Sequence, residues 1–503
     1  MKTRPLFIGL YDPKLMGIRY LSSVLKQNGY DTSMVFLKAF TSHNTQEPTE
    51  AEYALLYDTV EKCRPTYVGI SIMCSFYLDV AKKIAAEIKR RGMPVTVGGA
   101  YATLFPEACL EFADVVFRGD SEEAILDFTN VLENGGDYSS VSNLCSRKEG
   151  TCLLNDMRAL YEELDNIPFP DFGGTNKYYI NNNSLSHGDP EAGSFSYEMT
   201  TSRGCPNKCS YCSTGSIREL YKGKGKFIRN RSVANVMAEI SLVRSVNKGL
   251  QMLRFWDEIF PWDSDWISEF AMEYKKQVNL PFEIWGHPRF TKYENMVQLV
   301  DAGLSKIVIG VQSGSPYVRK DIYLRNEKQE EIIECSRALA KARVPIVIYD
   351  FILDHPFETE ADLRETLDLC LSLEKPFTLQ LHGLSFLPGT PIENIAVDHG
   401  VKTWDEIHTE QSRPLSEQYR AMHWWRIGKG KNANPTSSYW HSLIYLSQYK
   451  GMEKTIARAL TNENLKKNPS RLLMLQKFYN YRLMFKMGSR KLMFMIKTKV
   501  GKK

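Results

Sequence analysis

The feature that most restricts this chain is an alternation of short β-rich runs with amphipathic helical stretches, repeated in two separate series. In the first, LFIGLY precedes GIRYLSSVLKQNGY, TYVGISIMC precedes LDVAKKIAAEIKRRG, MPVTVGGA precedes FPEACLEF, and ADVVFRG precedes SEEAILDFTNVLENG. Strands joined through helices at this spacing make βαβ units, and βαβ units make a parallel sheet. Residues 1–145 are therefore expected to form a Rossmann-like (flavodoxin-like) domain, which binds ligands at the carboxyl ends of its strands. Residues 146–193 break the rhythm with a run dense in Pro, Gly, Asn and Ser and read as a linker.

The second series has strand candidates FSYEMTT, MLRFWDE, FEIWGHPR, KIVIGVQSG, PIVIYDFIL and TLQLHGLSF, separated by helical segments such as SVANVMAEISLVRS and KQEEIIECSRALAKAR. Six βα units in a row predict a (β/α)6-type partial TIM barrel over residues 194–395, with its working groups on the loops that follow the strands. Residues 396–503 read as a mostly helical C-terminal domain with a basic tail. Trp424, Trp425 and Trp440 in that region either line a pocket for an apolar substrate or, as aromatics this dense more often do, pack in a core.

Apolar residues make up 43% of the 503 and charged residues 24%, a balance that excludes collagen-like, disordered and disulfide-scaffold classes. No run of 18 apolar residues occurs, and MKTRPLFIGL passes from two cations straight into a strand-like stretch, so a cytoplasmic protein is expected. The net charge of +5 hides an asymmetry. Residues 464–503 carry twelve Lys and Arg and no acid, leaving 52 basic against 59 acidic residues before them. Mixed with Leu, Met, Phe and Tyr, these cations suit a helix packed by its apolar face or a peripheral contact with an anionic membrane. No nucleic-acid motif accompanies the tail, and no nucleic-acid partner is expected.

The strongest chemical signal is CPNKCSYC, which sets Cys205, Cys209 and Cys212 in C-x3-C-x2-C spacing directly after the first strand of the second series. Three thiolates on one loop can hold three irons of a four-iron cluster and leave the fourth iron open to another ligand. The rival, a structural zinc site, needs four ligands, and no fourth cysteine lies nearby.

At these residues the sequence resembles the radical S-adenosylmethionine superfamily, whose cysteine motif carries an aromatic before its last member, here Tyr211. The resemblance implies a [4Fe-4S] cluster on the three cysteines, Tyr211 near the adenine of S-adenosylmethionine, and reductive cleavage to a 5'-deoxyadenosyl radical fed by an external flavodoxin- or ferredoxin-type electron donor. Asp257 and Glu258 in FWDEIF are similar to the element that receives the methionine amino group. Gln312, Ser313 and Gly314 in GVQSGS are similar to a ribose-contacting element. Arg325 resembles the family's arginine, a carboxylate partner. HPFET is similar to a G-x-P-x-E-T turn, with His355 taken to stand where glycine is usual, and LPGT (387–390) to the final element.

The first series resembles the cobalamin-binding domain fused to one branch of these enzymes. VGGAYATLFPE matches that branch's VGG-x-H-x-T-x-x-PE with Tyr101 in the histidine position. DPKLMG keeps Asp12 and Gly17 of D-x-H-x-x-G but places Lys14 where histidine would ligate cobalt. The resemblance implies Asp12, Gly17, Ser71, Gly98, Gly99 and Tyr101 as cobalamin contacts. It also implies a methyltransferase acting on an unactivated carbon or on phosphorus of a small-molecule or lipid substrate. Cyclisation, rearrangement or oxidation without net methylation is the alternative chemistry, and a non-catalytic cobalamin or Fe–S regulator the alternative of another class.

Overall fold

The computed structural model describes residues 2–39, 46–422, 435–483 and 485. The first series builds β1 (Pro5–Leu10), β2 (Ser33–Leu37), β3 (Tyr67–Ser71), β4 (Val95–Gly98) and β5 (Val115–Phe117), all parallel, in the order β5-β4-β3-β1-β2. This is the flavodoxin-like order, with its topological switch between β1 and β3. Buried on both faces, these strands read as continuous apolar runs such as LFIGL. The helix Leu78–Arg90 shows why the crossovers pack. Val80, Ala81, Ile84, Ala85 and Ile88 share one buried face, while lysines, arginines and Glu87 occupy the rest.

The expected linker is only partly a connector. β6 (Leu144–Lys148) and β7 (Thr151–Leu154) extend the β5 edge in antiparallel fashion, whereas β8 (Lys177–Asn181) adds in parallel to β2 and carries β9 (Ser184–His187) as a hairpin. The resulting sheet has nine strands. These added strands are short and mix polar with apolar residues, and β7 and β9 form the sheet's two edges, so their pattern resembles a loop. Lys177 in β8 is fully buried, and Asp171 pairs with it at 2.8 Å.

The second series begins with β10 (Ser196–Met199), followed by a short antiparallel pair, β11 (Ser202–Arg203) and β12 (Arg229–Asn230) that brackets the cysteine loop. β13 (Met252–Phe255), β14 (Phe282–Gly286), β15 (Leu304–Gln312), β16 (Val347–Leu353) and β17 (Thr378–Gly383) then complete a six-stranded parallel sheet in the order β10-β13-β14-β15-β16-β17. Every strand pairs with its neighbour in that succession, the arrangement of a (β/α)6 partial barrel.

Beyond the barrel the described residues are helical. Helix Pro435–Ser447 lays Tyr439, Trp440, Leu443 and Ile444 into the same core as the barrel helices, so Trp440 is a core residue as expected. Trp424 and Trp425 lie outside the described residues. Among the described residues no helix is long and apolar enough to cross a membrane.

Candidate functional site

The cysteine loop is held by backbone bonds from several directions. The Ser210 N–H donates to Tyr323 O at 3.0 Å, its hydroxyl to Ile322 O at 2.6 Å, and Ser210 O accepts from Ile392 N. The Arg218 guanidinium caps Pro206 O at 2.9 Å. Cys205, Cys209 and Cys212 are half-buried, and none is in a disulfide. Desolvation pushes the Cys205 thiol up to about 12, with Cys209, Cys212 and Glu258 adding to the shift. Desolvation likewise raises Cys209, while Arg325 opposes it. The Arg325 guanidinium lies 3.7 Å from Cys209 Sγ and donates to the Tyr211 hydroxyl at 3.2 Å and to Gly310 O at 2.7 Å. Positive charge brought beside Cys205 and Cys209, as an iron centre would bring it, favours their thiolates against this desolvation. Cys205, Cys209 and Cys212, carried on one loop with none in a disulfide, fit the three thiolate ligands of a cluster.

The carboxyl edge of the first sheet faces this loop. The helix Ala100–Leu104, which follows β4, packs against Ser213–Leu220, which follows the cysteines. Gly389 of the LPGT turn lies against the Phe105 ring. Ion pairs lock the two lobes. Arg203 reaches Glu122 at 2.6 Å and Asp120 at 3.2 Å, Arg229 reaches Asp120 at 3.1 Å, and Lys14 reaches Glu198 at 2.7 Å. At the switch point between β1 and β3 two buried hydroxyls, Tyr11 Oη and Ser75 Oγ, find no partner among the described residues. Orphaned donors at a sheet's carboxyl edge fit a ligand rich in amide groups, which cobalamin is.

Comparison with known proteins agrees with this geometry. The radical SAM superfamily profile matches residues 199–370 and the B12-binding domain profile residues 10–129. The chain is a cobalamin-dependent radical S-adenosylmethionine enzyme. Its cofactors are a [4Fe-4S] cluster, S-adenosylmethionine and cobalamin. It is 26% identical over 369 residues to the cytidylyl-2-hydroxyethylphosphonate methyltransferase of Streptomyces wedmorensis, an alignment taking in 64% of this chain and 66%, just under two thirds, of that protein. Among solved structures, the cobalamin-dependent radical enzyme OxsB, with aqua-cobalamin and S-adenosylmethionine bound, matches 97% of this chain and 80% of its own at TM-score 0.67 and 13% identity. The methyltransferase TsrM of Kitasatospora setae matches 79% and 76% at TM-score 0.60 and 16% identity.

Within the radical S-adenosylmethionine core the structure redistributes several expected roles. Asp257 is not a free carboxylate. It is 3% exposed, and its oxygens accept from Thr201 N–H at 2.8 Å, Thr201 hydroxyl at 3.1 Å, Ser202 N–H at 2.7 Å and Ser202 hydroxyl at 2.6 Å. Burial pushes its carboxyl up to about 7 despite these donors. Asp257 thus clamps the strand end that launches the cysteine loop, its Oδ1 taking three of these donors and its Oδ2 one. Glu258 beside it is exposed. Desolvation there raises its carboxyl above the usual range, opposed by its own N–H, Arg203 and Arg229.

Ser313 and Gly314 also turn into the fold. Gly314 N–H donates to Thr366 Oγ1 at 2.9 Å, and a Cβ on Gly314 would sit 2.2 Å from Thr366 Cα, so this glycine exists for strand–helix approach. Ser313 is fully buried, its oxygen accepting from Arg319. Gln312 holds a left-handed φ of 72°, and its amide folds over Gly310 toward Arg325. Arg325 already has a carboxylate partner in Glu327. Immediately before HPFET, Asp354 holds a left-handed φ of 58° two positions ahead of Pro356, so Asp354 and not His355 occupies the glycine position of the turn. Thr359 caps the following helix in a capping box with Asp362.

In the cobalamin lobe, Asp12, Ser71, Gly98 and Gly99 all fall at the ends of β1, β3 and β4. Asp12 Oδ1 closes its loop by accepting from Lys14 N–H at 2.8 Å. Gly99 holds φ 106°, and a Cβ there would meet Ile72 O at 2.6 Å. Gly17, in contrast, is exposed with nothing within 4 Å of a Cβ. Tyr101 stacks on Phe105 at 5.1 Å.

Sequence reading missed a ladder of charges on the inner face of the barrel. Glu198, Arg254, Glu283 and Lys306 are consecutive partners in register across β10, β13, β14 and β15, linked at 3.3, 3.3 and 2.6 Å. Lys14 of the first lobe joins through Glu198. Asp350 and His382, 4.0 Å apart, continue the polar face. The signal was a charged residue inside five of the six strand candidates and a histidine in the sixth, since parallel strands covered on both faces are otherwise apolar.

Proposed function

We propose that this enzyme transfers a methyl group from methylcobalamin to an unactivated carbon or to phosphorus of a small-molecule or lipid substrate, by way of a 5'-deoxyadenosyl radical and with electrons from an external flavodoxin- or ferredoxin-type donor. One observation carries this reading: the glycine-bearing edge of the first sheet packs directly on the helix that follows the cluster cysteines. When bound, the cluster with S-adenosylmethionine supplies hydrogen abstraction, and cobalamin supplies the methyl group.

The chain's own residues place and shield these groups. Cys205, Cys209 and Cys212 hold the cluster, and Arg325 offsets thiolate charge at Cys209. Glu258, the exposed member of the Asp257–Glu258 pair expected in this role, receives the methionine ammonium, and Tyr211 flanks the adenine. Tyr11, Ser75, Ser71, Gly98 and Gly99 line the corrin side. Glu198 and Asp12 hold Lys14 within its loop, at the position where the D-x-H-x-x-G pattern would carry histidine. The inward ladder from Glu198 to Asp350 gives a substrate's polar groups partners while the packed lobes exclude water. Methyltransferase names among the relatives support the transfer.

The test is anaerobic reconstitution with iron, sulfide and cobalamin, followed by turnover with methyl-labelled S-adenosylmethionine and strong reductant. Label in an organic product beside 5'-deoxyadenosine is expected. Deoxyadenosine with an unlabelled isomeric product would replace methylation with rearrangement.

A further inference from the structure

The helix over residues 470–483 has two faces with different fates. Its inner face is fixed. Leu472 is 4% exposed, Leu475 and Tyr479 pack against the barrel-side core, Gln476 accepts from the Ser442 hydroxyl at 2.9 Å, and Asn480 accepts from the Tyr445 hydroxyl at 3.2 Å. These contacts set the rotation of the helix and therefore what it presents outward. Met474, Phe478, Tyr481 and Phe485 are 65%, 62%, 71% and 80% exposed. Their spacing of four, three and four places them on one stripe. Arg471, Lys477 and Arg482, all exposed, flank it.

A stripe of four large apolar side chains in water marks a docking face, and charge decides the partner. From residue 464 onward the chain has twelve Lys and Arg and no acid, seven of them after residue 485, while the preceding residues are acidic on balance. Against a second copy of itself this face would set cations on cations. A duplex nucleic acid would use the cations but press the apolar stripe against phosphates. An anionic bilayer satisfies both, taking aromatic and thioether groups at the headgroup–acyl boundary and cations at the phosphates.

We infer that this helix docks the enzyme, lying in plane, on an anionic lipid surface, with Met474, Phe478, Tyr481 and Phe485 inserted and Arg471, Lys477 and Arg482 paired to headgroups. The inference rests on the packed helix alone and stands or falls separately from the methyl-transfer reading.

The test uses the full-length reconstituted enzyme, sedimented with vesicles of phosphatidylcholine alone or with roughly one-third phosphatidylglycerol. Binding to the anionic vesicles only, weakening with added salt, is expected. Arg471→Gln, Lys477→Gln and Arg482→Gln together should lower the partition coefficient about a hundredfold, about fivefold for each cation removed. Phe478→Ser, Tyr481→Ser and Phe485→Ser together should lower it at least about tenfold. Both variants should keep the parent melting temperature and the parent yield of 5'-deoxyadenosine, because none of these side chains enters the core. The inference is overturned by equal partition to neutral and anionic vesicles, by no binding at all, or by unchanged binding of either variant. It is also overturned if the substitutions abolish a dimer in sedimentation velocity or binding to duplex DNA while vesicle binding is absent.

Discussion

The two ligand edges of this molecule are built on different principles. The cysteine loop is braced by charge and by saturated hydrogen bonds. Asp257 absorbs four donors beneath it, Arg325 lies against Cys209, and Ser210 ties the loop to two other segments. The first sheet's edge is shaped instead by backbone turns and leaves hydroxyls at Tyr11 and Ser75 unsatisfied. Three thiolates repel one another and must be held against that repulsion, so their loop carries its own counter-charge. A large macrocycle edged with amides needs clearance and waiting hydrogen-bond partners.

The largest expected effect breaks the braced edge. Asp257→Ala orphans four donors and should cost about 4 kcal/mol of stability at about 1–3 kcal/mol per unsatisfied buried group, not all additive. Thermal unfolding and iron content should fall together. Asp257→Asn, which keeps one oxygen, should fall between it and the parent protein.

Gly99→Ala tests the other edge. Forcing a Cβ against Ile72 O at a φ of 106° should cost about 2 kcal/mol and weaken cobalamin uptake in a spectral titration while iron content holds. Loss of iron in this variant would show that the two edges are not separately built. Gly17→Ala, at a position the sequence marked equally, should change neither reading.

Asp350 sharpens the comparison within the barrel. Burial pushes its carboxyl up to about 7, against the pull of Lys306. Between about pH 4 and pH 7 the folded protein keeps a proton that the unfolded chain has lost, so this group's contribution declines as pH rises, by at most about 1.4 kcal/mol per pH unit. Asp350→Asn should flatten that part of the stability–pH curve measured by denaturant titration.

The smallest effect is expected at the lobe boundary. The Lys14–Glu198 pair is partly solvated, with side chains 24% and 17% exposed. Lys14→Met should cost only about 0.5 kcal/mol, Arg254 remaining beside Glu198. A much larger loss in melting temperature would mean that this strut holds the lobes together.

Ten strands read from the sequence are present, β1, β3, β4, β5, β10 and β13 to β17, because each announces itself by a local apolar run beside an amphipathic helix. β2 lies inside a crossover, and β6 to β9 are short strands of mixed polar and apolar residues, so their pairing is visible only in the sheet. The same division runs through the site. The cysteine motif and the VGG turn are legible because the residues that make them are neighbours in the chain. Ser71 and Gly98 come together because parallel register places the ends of β3 and β4 side by side.

By itself the sequence determined two βα series, a three-thiolate loop and a basic end, since each is a pattern within a few residues whose physics is local. Tertiary structure alone decided that Asp257 is a clamp while Glu258 beside it stays exposed, because the four donors that bond Asp257 lie 55 or 56 positions away. It likewise decided that Gly314 serves a helix more than 50 residues on. Which lone pairs remain for a ligand depends on which are already taken, and that count is settled only when distant segments pack.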